Sequence, residues 1–196
     1  MPGSVTKKRR LTSSDKALLR EVFAVLLSVK GSCIHTRNNG FVYALEDGPQ
    51  PVAIEQLIKH FGPNTELADL AAGAYLDRFE SDKSSPLFRD SGSLDYAQHI
   101  AERFHLSAAT NERLITNMAR MGWYGRLDAC AKRYLGRGLK PEEVILLVDS
   151  YVNDTGTKST AGRKDLPDLL RKYVPRDEVE RQLARIAQHD KEFHDD

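Results

Sequence analysis

The chain has 196 residues, of which 40% are hydrophobic, enough apolar surface to bury a core in one domain or in one elongated array of helices. Its 29 basic and 28 acidic side chains leave a formal net charge of +1. No overall electric field therefore draws the protein to nucleic acid or to an anionic membrane, and any charged partner has to be recognised locally.

The cysteines and the apolar runs favour a cytoplasmic location. Cys33 and Cys130 are the only cysteines and lie far apart in the sequence, which is typical of reduced thiols rather than of a disulfide framework. The longest apolar run, Val22 to Val29, is less than half as long as a membrane-spanning helix. We therefore expect a chain without a transmembrane segment.

The first twelve residues, 1–12, show no hydrophobic periodicity and contain no acidic side chain. They include four consecutive basic residues: Lys7, Lys8, Arg9 and Arg10. This composition predicts a disordered basic arm. A solvated tail is the favoured interpretation, and the alternatives are an arm that contacts phosphates or a nuclear-import signal, which would place the protein in the nucleus.

Helical periodicity begins directly after the arm. Ser13 or Ser14 can cap a helix that we expect over 15–30, with an acidic first turn and a glycine just beyond its end. The pattern then breaks over 31–50, where turn residues surround a short strand or a buried extended loop at 41–45.

The rest of the chain alternates helical periodicity with turns. Two polar stretches, 81–93 and 153–164, are expected to be flexible loops. Apolar spacing and cap residues predict the other helices: 51–61, 66–79, 94–105, 111–121, 125–135, 141–152, 166–173 and 176–193. The sequence thus predicts an all-α fold of about eight helices in a single domain over 13–196, arranged as a helical-hairpin array that is either α-solenoid-like or an irregular bundle.

The stretch 110–153 has the most regular pattern in the chain. Apolar side chains give its first two helices faces that can pack on each other: Leu114, Ile115, Met118, Met121, Leu127, Ala131, Tyr134 and Leu135. Trp123 and Tyr124 lie at the corner between these helices. The favoured interpretation is that they close the open end of the hairpin; the alternative is that they anchor a partner, because Trp, Tyr and Arg dominate interface hot spots.

No arrangement of residues in the sequence points to catalysis. Cys33 precedes His35 by two residues, which is no recognised metal or nucleophile spacing, and zinc would need further ligands. The glycines and basic residues of 153–164 lack the order of a phosphate-binding loop. We therefore expect no enzymatic activity, no metal site and no cofactor.

The segment YAQHIAERFHLSAATNERLITNMARMGWYGRLDACAK, from Tyr96 to Lys132, contains a helix that ends at Phe104, a short loop, a helix of Leu and Ala residues, an aromatic corner at Trp123 and another helix. In this order of features it resembles the C-terminal helical region of the class C vacuolar protein sorting subunits of HOPS/CORVET-type tethering complexes. The resemblance covers roughly the second half of the chain. It implies a noncatalytic scaffold for a trafficking partner, located in the cytoplasm and, through that partner, on endosomal membranes.

Two function classes remain open. In the first, the chain is a scaffold or adaptor, and a partner protein contacts the corner and the helix that follows it, at Trp123, Tyr124, Arg126, Arg133 and Arg137. In the second, the chain is a nucleic-acid-associated regulatory protein, and phosphates contact the arm and a basic helix face, at Lys7, Lys8, Arg9, Arg10, Arg113, Arg120 and Lys132. The second interpretation depends on a helix face on which only Asp128 opposes the basic residues.

Overall fold

The computed structural model describes residues 11–28, 35–37, 40–42, 56–58, 65–81, 91–153 and 160–192. Most of these residues lie in eight helices: α1 (Ser13–Ser28), α2 (Thr65–Ser81), α3 (Ser91–Arg103), α4 (Ala108–Arg120), α5 (Tyr124–Leu135), α6 (Pro141–Asn153), α7 (Thr160–Tyr173) and α8 (Arg176–Glu192). The predicted all-α fold is confirmed. Within the described ranges, no helix has both the length and the apolar character needed to cross a membrane.

A two-stranded hairpin is the exception to the helical pattern. Strand β1 (His35–Arg37) pairs antiparallel with β2 (Gly40–Val42), so that Arg37 lies opposite Gly40. The strand expected within 41–45 therefore begins at Gly40, and its residues after Val42 lie outside the described part. Residues 56–58 are helical, as expected for the helix over 51–61, whose other residues lie outside the description.

Helix α1 begins with a capping box formed by Thr12 and Asp15. The Thr12 backbone N–H donates to Asp15 Oδ2 at 2.8 Å, and the Asp15 backbone N–H donates to Thr12 Oγ1 at 3.1 Å. Each side chain thereby satisfies a backbone donor that the first helical turn leaves open. The prediction that Ser13 or Ser14 caps this helix was wrong, because both serines already belong to the helix.

The arm predicted over 1–12 is shorter than expected at its C-terminal end. Thr12 belongs to the capping box, and Leu11 is buried. Both residues are therefore part of the folded protein. Residues 1–10, which include the basic run, lie outside the described residues.

The chain divides into two compact units, one of residues 1–81 and 91–110 and the other of residues 82–90 and 111–196. The single domain expected over 13–196 stays a prediction. In the first unit, α2 packs against α1 and α3. Tyr75 of α2 and Tyr96 of α3 stack with their ring centroids 5.1 Å apart. Small side chains on α2 are fully buried and permit this close approach: Ala68, Ala71 and Ala72.

The loop before α4 explains why this helix starts earlier than expected. The backbone N–H of Ser107 donates to Asp69 Oδ1 of α2 at 2.8 Å, and Ser107 Oγ accepts the backbone N–H of Thr110 at 3.3 Å. Ser107 therefore acts as the N-cap, and α4 begins at Ala108 instead of residue 111.

In the second unit, α7 packs against α5, α6 and α8, and α6 also packs against α8. Its core contains the apolar side chains that the sequence pattern placed in the central hairpin: Leu114, Ile115, Met118, Leu127 and Ala131. Val144, Leu147 and Val148 of α6 are fully buried beside them in the same unit. The three remaining members of the predicted faces, Met121, Tyr134 and Leu135, are half-buried instead.

Both predicted loops are shorter than expected. Helix α2 continues to Ser81 and α3 starts at Ser91, which leaves 82–90 of the loop 81–93, outside the described residues. Ser93, expected to cap α3, is a buried residue inside it. Likewise α7 starts at Thr160, inside the expected linker 153–164, although Pro167 lies within the helix. Leu166 and Leu170 of the predicted helix 166–173 are fully buried, and this tertiary packing stabilises the helix together with its first residues, 160–165, which local composition did not indicate.

Replacing Thr12 tests the capping box. We expect Thr12→Ala to lower the free energy of unfolding by about 1 kcal/mol, because the Asp15 backbone N–H loses its acceptor. Ser14→Ala is the matched control and should change stability by no more than a few tenths of that value. Urea unfolding followed by circular dichroism measures both, and an equal loss in the two variants would contradict the assignment of the cap.

Candidate interaction surface

The turn between α4 and α5 is fixed by Gly122. The backbone N–H of Gly122 donates to Ala119 O at 3.0 Å, and that of Trp123 donates to Met118 O at 3.1 Å, which is the hydrogen-bond pattern of a Schellman motif. Gly122 has φ +69°, and a Cβ there would lie 2.8 Å from Ser150 Oγ. Both the backbone conformation and the neighbouring α6 therefore require glycine.

This turn places Trp123 and Tyr124 side by side at the start of α5. Trp123 is the N-cap residue of α5, and Tyr124 is its first residue. Both side chains are half-buried, so each has one part in contact with the protein and another part exposed to solvent. The structure thus places the two predicted residues together at the predicted corner; their role in binding a partner stays a prediction.

Two further rings from α6 and α8 extend this corner. The rings of Tyr124 and Tyr151 meet edge-to-face with centroids 6.4 Å apart, and Tyr151 meets His189 in the same way at 5.2 Å. The Tyr151 hydroxyl donates to Asp190 Oδ1 at 2.7 Å. We call Trp123, Tyr124, Tyr151 and His189 the aromatic corner. Sequence reasoning missed the last two, because no local pattern shows that α6 and α8 meet at this point.

Helix α5 presents two exposed arginines next to its buried residue Cys130. Arg126, Ala129 and Arg133 are all exposed, and their spacings of three and four residues place them on one side of the helix. We call these three residues the outer face of α5. The Arg133 guanidinium lies 5.7 Å from the centroid of the Tyr134 ring. No ion pair joins Arg126 or Arg133 to a carboxylate of the residues that the structure describes.

Lys132, which was predicted to contact nucleic acid, forms an ion pair with another residue of the same helix. Its Nζ lies 2.9 Å from Asp128 Oδ2, which also accepts from Lys172 Nζ of α7 at 3.1 Å. The Tyr173 hydroxyl donates to the other Asp128 oxygen. Burial raises the pKa of Asp128, but the hydrogen bonds from Tyr173, Lys132 and Lys172 outweigh it and hold this pKa below its usual value. Asp128 is therefore ionised and forms ion pairs with two lysines.

Arg137 lies in the turn after α5 and joins two carboxylates from different helices. Its guanidinium donates to both oxygens of Glu143 in α6, at 2.7 and 3.0 Å, and to both oxygens of Glu112 in α4, at 2.5 and 3.1 Å. Lys140 Nζ donates to Glu112 at 2.8 Å, and the Lys140 backbone N–H donates to Glu143 at 2.7 Å. We call these four residues the Arg137 network.

Burial and charge show what the Arg137 network does. Glu143 is only 2% exposed, so its charge depends on the two bonds from Arg137 and the one from the Lys140 backbone N–H. The hydrogen bonds to Glu143 and Glu112 raise the pKa of Arg137. The hydrogen bonds that Glu112 accepts from Arg137 and Lys140 lower the pKa of Glu112. The expectation that only Asp128 opposes the basic residues of this region is wrong, because Glu112 and Glu143 also do so.

The other basic residues predicted for nucleic-acid contact are dispersed. Arg113 is half-buried, while Arg120 is exposed and donates to Asn117 Oδ1 at 3.1 Å. The basic run at 7–10 lies outside the described residues. On α4 and α5, the cations that remain exposed without a carboxylate partner among the described residues are therefore few, and the outer face of α5 contains two of them.

Among the described residues, no group of three or more His, Cys, Asp or Glu side chains is arranged to hold a metal ion. Cys130 is a buried free thiol, and Cys33 lies outside the description.

Comparisons with known proteins add no family to this description. No protein-family model matches the chain, and no curated protein or solved structure matches it. The resemblance to class C vacuolar protein sorting subunits therefore rests on the order of features from Tyr96 to Lys132 and stays a prediction.

Replacing Arg137 tests the Arg137 network. We expect Arg137→Met to lower the free energy of unfolding by about 3 kcal/mol, because it leaves the buried Glu143 carboxylate without its counter-ion. Arg137→Lys should recover little of this loss, since an ammonium cannot make two bidentate contacts. The control Lys140→Met removes a more exposed contact and should cost less than about 1 kcal/mol. Similar losses for Arg137→Met and Lys140→Met in urea unfolding would contradict the network.

The lowered pKa of Glu112 predicts a dependence of stability on pH. Its ionised form is favoured in the folded chain, so its contribution is complete above the unfolded pKa of about 4.3 and is lost as the pH falls through the lower folded pKa. The stability advantage of wild type over Glu112→Gln should therefore begin to fall as the pH drops below about 4.3 and should continue to fall at lower pH. Urea unfolding of both proteins across this range measures the difference, and a constant difference would contradict the shift.

Proposed function

We propose that this protein is a non-enzymatic helical adaptor that binds a partner protein through the aromatic corner and the adjoining outer face of α5. The observation that supports this most directly is the position of Trp123 and Tyr124. Both are half-buried at a hydrogen-bonded turn, and exposed Arg126 follows within one helical turn. Anchors of binding interfaces are enriched in these three residue types.

The contacts that hold the turn support a role in binding. The Schellman hydrogen bonds of Gly122 and the edge-to-face contact of Tyr124 with Tyr151 hold the corner before any partner arrives. A pre-ordered aromatic side chain loses less conformational entropy when it is buried by a partner. A partner that contacts the exposed parts of Trp123 and Tyr124 would therefore bind with a small loss of conformational entropy.

A nucleic-acid-associated regulatory protein is the second candidate, and the charges of the described residues favour it less. Binding to a phosphate backbone needs several cations that are free to release counter-ions. Arg137 is held by Glu112 and Glu143, and Lys132 is held by Asp128. The basic arm at 7–10 would then have to supply most of the affinity.

The resemblance from Tyr96 to Lys132 supports placing the adaptor in vesicle tethering at endosomes or vacuoles, where helical scaffold subunits hold a trafficking partner. On this proposal the protein works in the cytoplasm and reaches membranes through its partner. Arg137, one of the residues predicted to bind the partner, would then act indirectly, by fixing the turn after α5.

Affinity purification from the native source tests the proposed function. We expect a protein to co-purify with wild type at high salt, and Trp123→Ala to reduce its recovery at least about tenfold, as loss of a hot-spot residue does. Trp123→Phe, which keeps an aromatic ring, should retain more of it, and Arg176→Ala on α8 is the control. Recovery that is equal in wild type and Trp123→Ala, with both proteins folded by circular dichroism, would reject the corner as the binding site. Nuclease-sensitive recovery would favour the second candidate.

A further inference from the structure

We propose that the outer face of α5 binds an acidic helix of the partner, whose carboxylates are spaced seven residues apart to meet Arg126 and Arg133. This inference rests on the proposed function, because it assumes a protein partner, and it defines the chemistry of that partner. The argument depends on the charge and spacing of the two arginines, on the small residues beside them, and on Asp128, whose carboxylate is already bound by other residues.

The two arginines form an exposed cationic pair of defined length. They are seven residues apart on one helix, so two turns and about 10.5 Å of axial rise separate their Cα atoms. Neither is engaged by a carboxylate of the described residues. An acidic helix that lies along α5 repeats its own carboxylates over the same distance when they are seven residues apart.

On the side of Ala129 and Gly125, the surface beside the arginines allows a helix to approach closely. Ala129 lies between them and is exposed, and Gly125, one residue before Arg126, is exposed with open space where a Cβ would lie. Small residues reduce the distance at which two helix axes can pack. Long arginine side chains on either side of such a surface can reach over a partner helix to its carboxylates.

The residues at the edge of the face do not repel an acidic partner. Asp128 is the acidic residue of α5, and Lys132, Lys172 and Tyr173 all contact its carboxylate. The Arg133 guanidinium already rests over the Tyr134 ring, which limits the conformational freedom that it would lose on binding.

The same observations favour a carboxylate-bearing helix over a phosphate backbone. Nucleic-acid affinity grows with the number of phosphates neutralised, and tight binders typically make about 6–10 such contacts. The outer face of α5 offers two arginines. Two directional, bidentate donors at a fixed spacing are better suited to two carboxylates on a matching scaffold.

Binding of synthetic helices to the full chain tests this inference. Two of the probes are fluorescent 21-residue helical peptides of identical composition, with three Glu residues spaced either seven apart, on one face, or five apart, on different faces. A third peptide has Gln in place of Glu, and a fourth has Lys. We expect fluorescence anisotropy at low salt to show the tightest binding for the seven-residue spacing.

The variants assign this binding to the two arginines. Arg126→Glu/Arg133→Glu should weaken binding of the seven-residue-spaced peptide at least about tenfold and create binding to the Lys peptide. The control Arg20→Glu/Arg176→Glu changes the net charge equally at exposed arginines of α1 and α8 and should leave the affinity unchanged. Circular dichroism confirms that all variants remain folded.

Several results would overturn the inference. These are equal binding of the two Glu spacings, equal binding of the Gln peptide, and equal losses in the two double variants. Tighter binding of a duplex DNA probe that depends on Arg126 and Arg133 would assign the face to phosphates instead. If Trp123→Ala abolishes partner recovery while the peptides fail to bind, the proposed function stands and only the acidic helix is rejected. If the peptides bind while partner recovery does not depend on Trp123, the proposed corner is rejected and the face of α5 is retained.

Discussion

The paired charges of Arg137 and Glu143 form the interaction on which the second unit of this protein depends. A carboxylate that is 2% exposed is stable only with a counter-ion and hydrogen bonds, and Arg137 provides both. The same guanidinium reaches Glu112 of α4, so one side chain in a turn connects α4 with the start of α6. Electrostatics as well as the apolar core therefore sets the positions of three elements relative to one another: α4, α6 and the turn that follows α5.

Ion pairs within the second unit also decide which basic residues are left to bind other molecules. A cation already surrounded by carboxylates attracts an acidic partner weakly, since its field is cancelled nearby. Arg137 is in this situation, and Lys132 shares the carboxylate of Asp128 with Lys172, whereas Arg126 and Arg133 are exposed without a carboxylate partner among the described residues. A region that is mainly basic in sequence is thus a mixture of structural ion pairs and two exposed arginines. Binding of an acidic partner to this region would consequently depend on the positions of these two arginines and not on the total charge of the region.

The aromatic corner and the outer face of α5 begin at the same turn. Gly122 allows the chain to reverse next to α6, and the reversal brings Trp123 and Tyr124 to the start of the helix that contains both exposed arginines. Apolar anchors give affinity that resists salt, while charged side chains give orientation and faster association. A partner that contacts both would obtain affinity from the corner and register from α5.

The sequence by itself determined the helical class, the positions of most helices and the buried residues Leu114, Ile115, Met118, Leu127 and Ala131, because helical periodicity and turn residues are local signals. It also placed Trp123 and Tyr124 at a corner, since Gly122 marks the turn. It could not assign Arg137, because the two carboxylates that bind it lie 25 residues before and 6 residues after it in the chain. It likewise missed Tyr151 and His189. Only the tertiary structure decided which charges are neutralised and which rings meet, because those pairings depend on how separate helices pack and leave no periodic trace in the sequence.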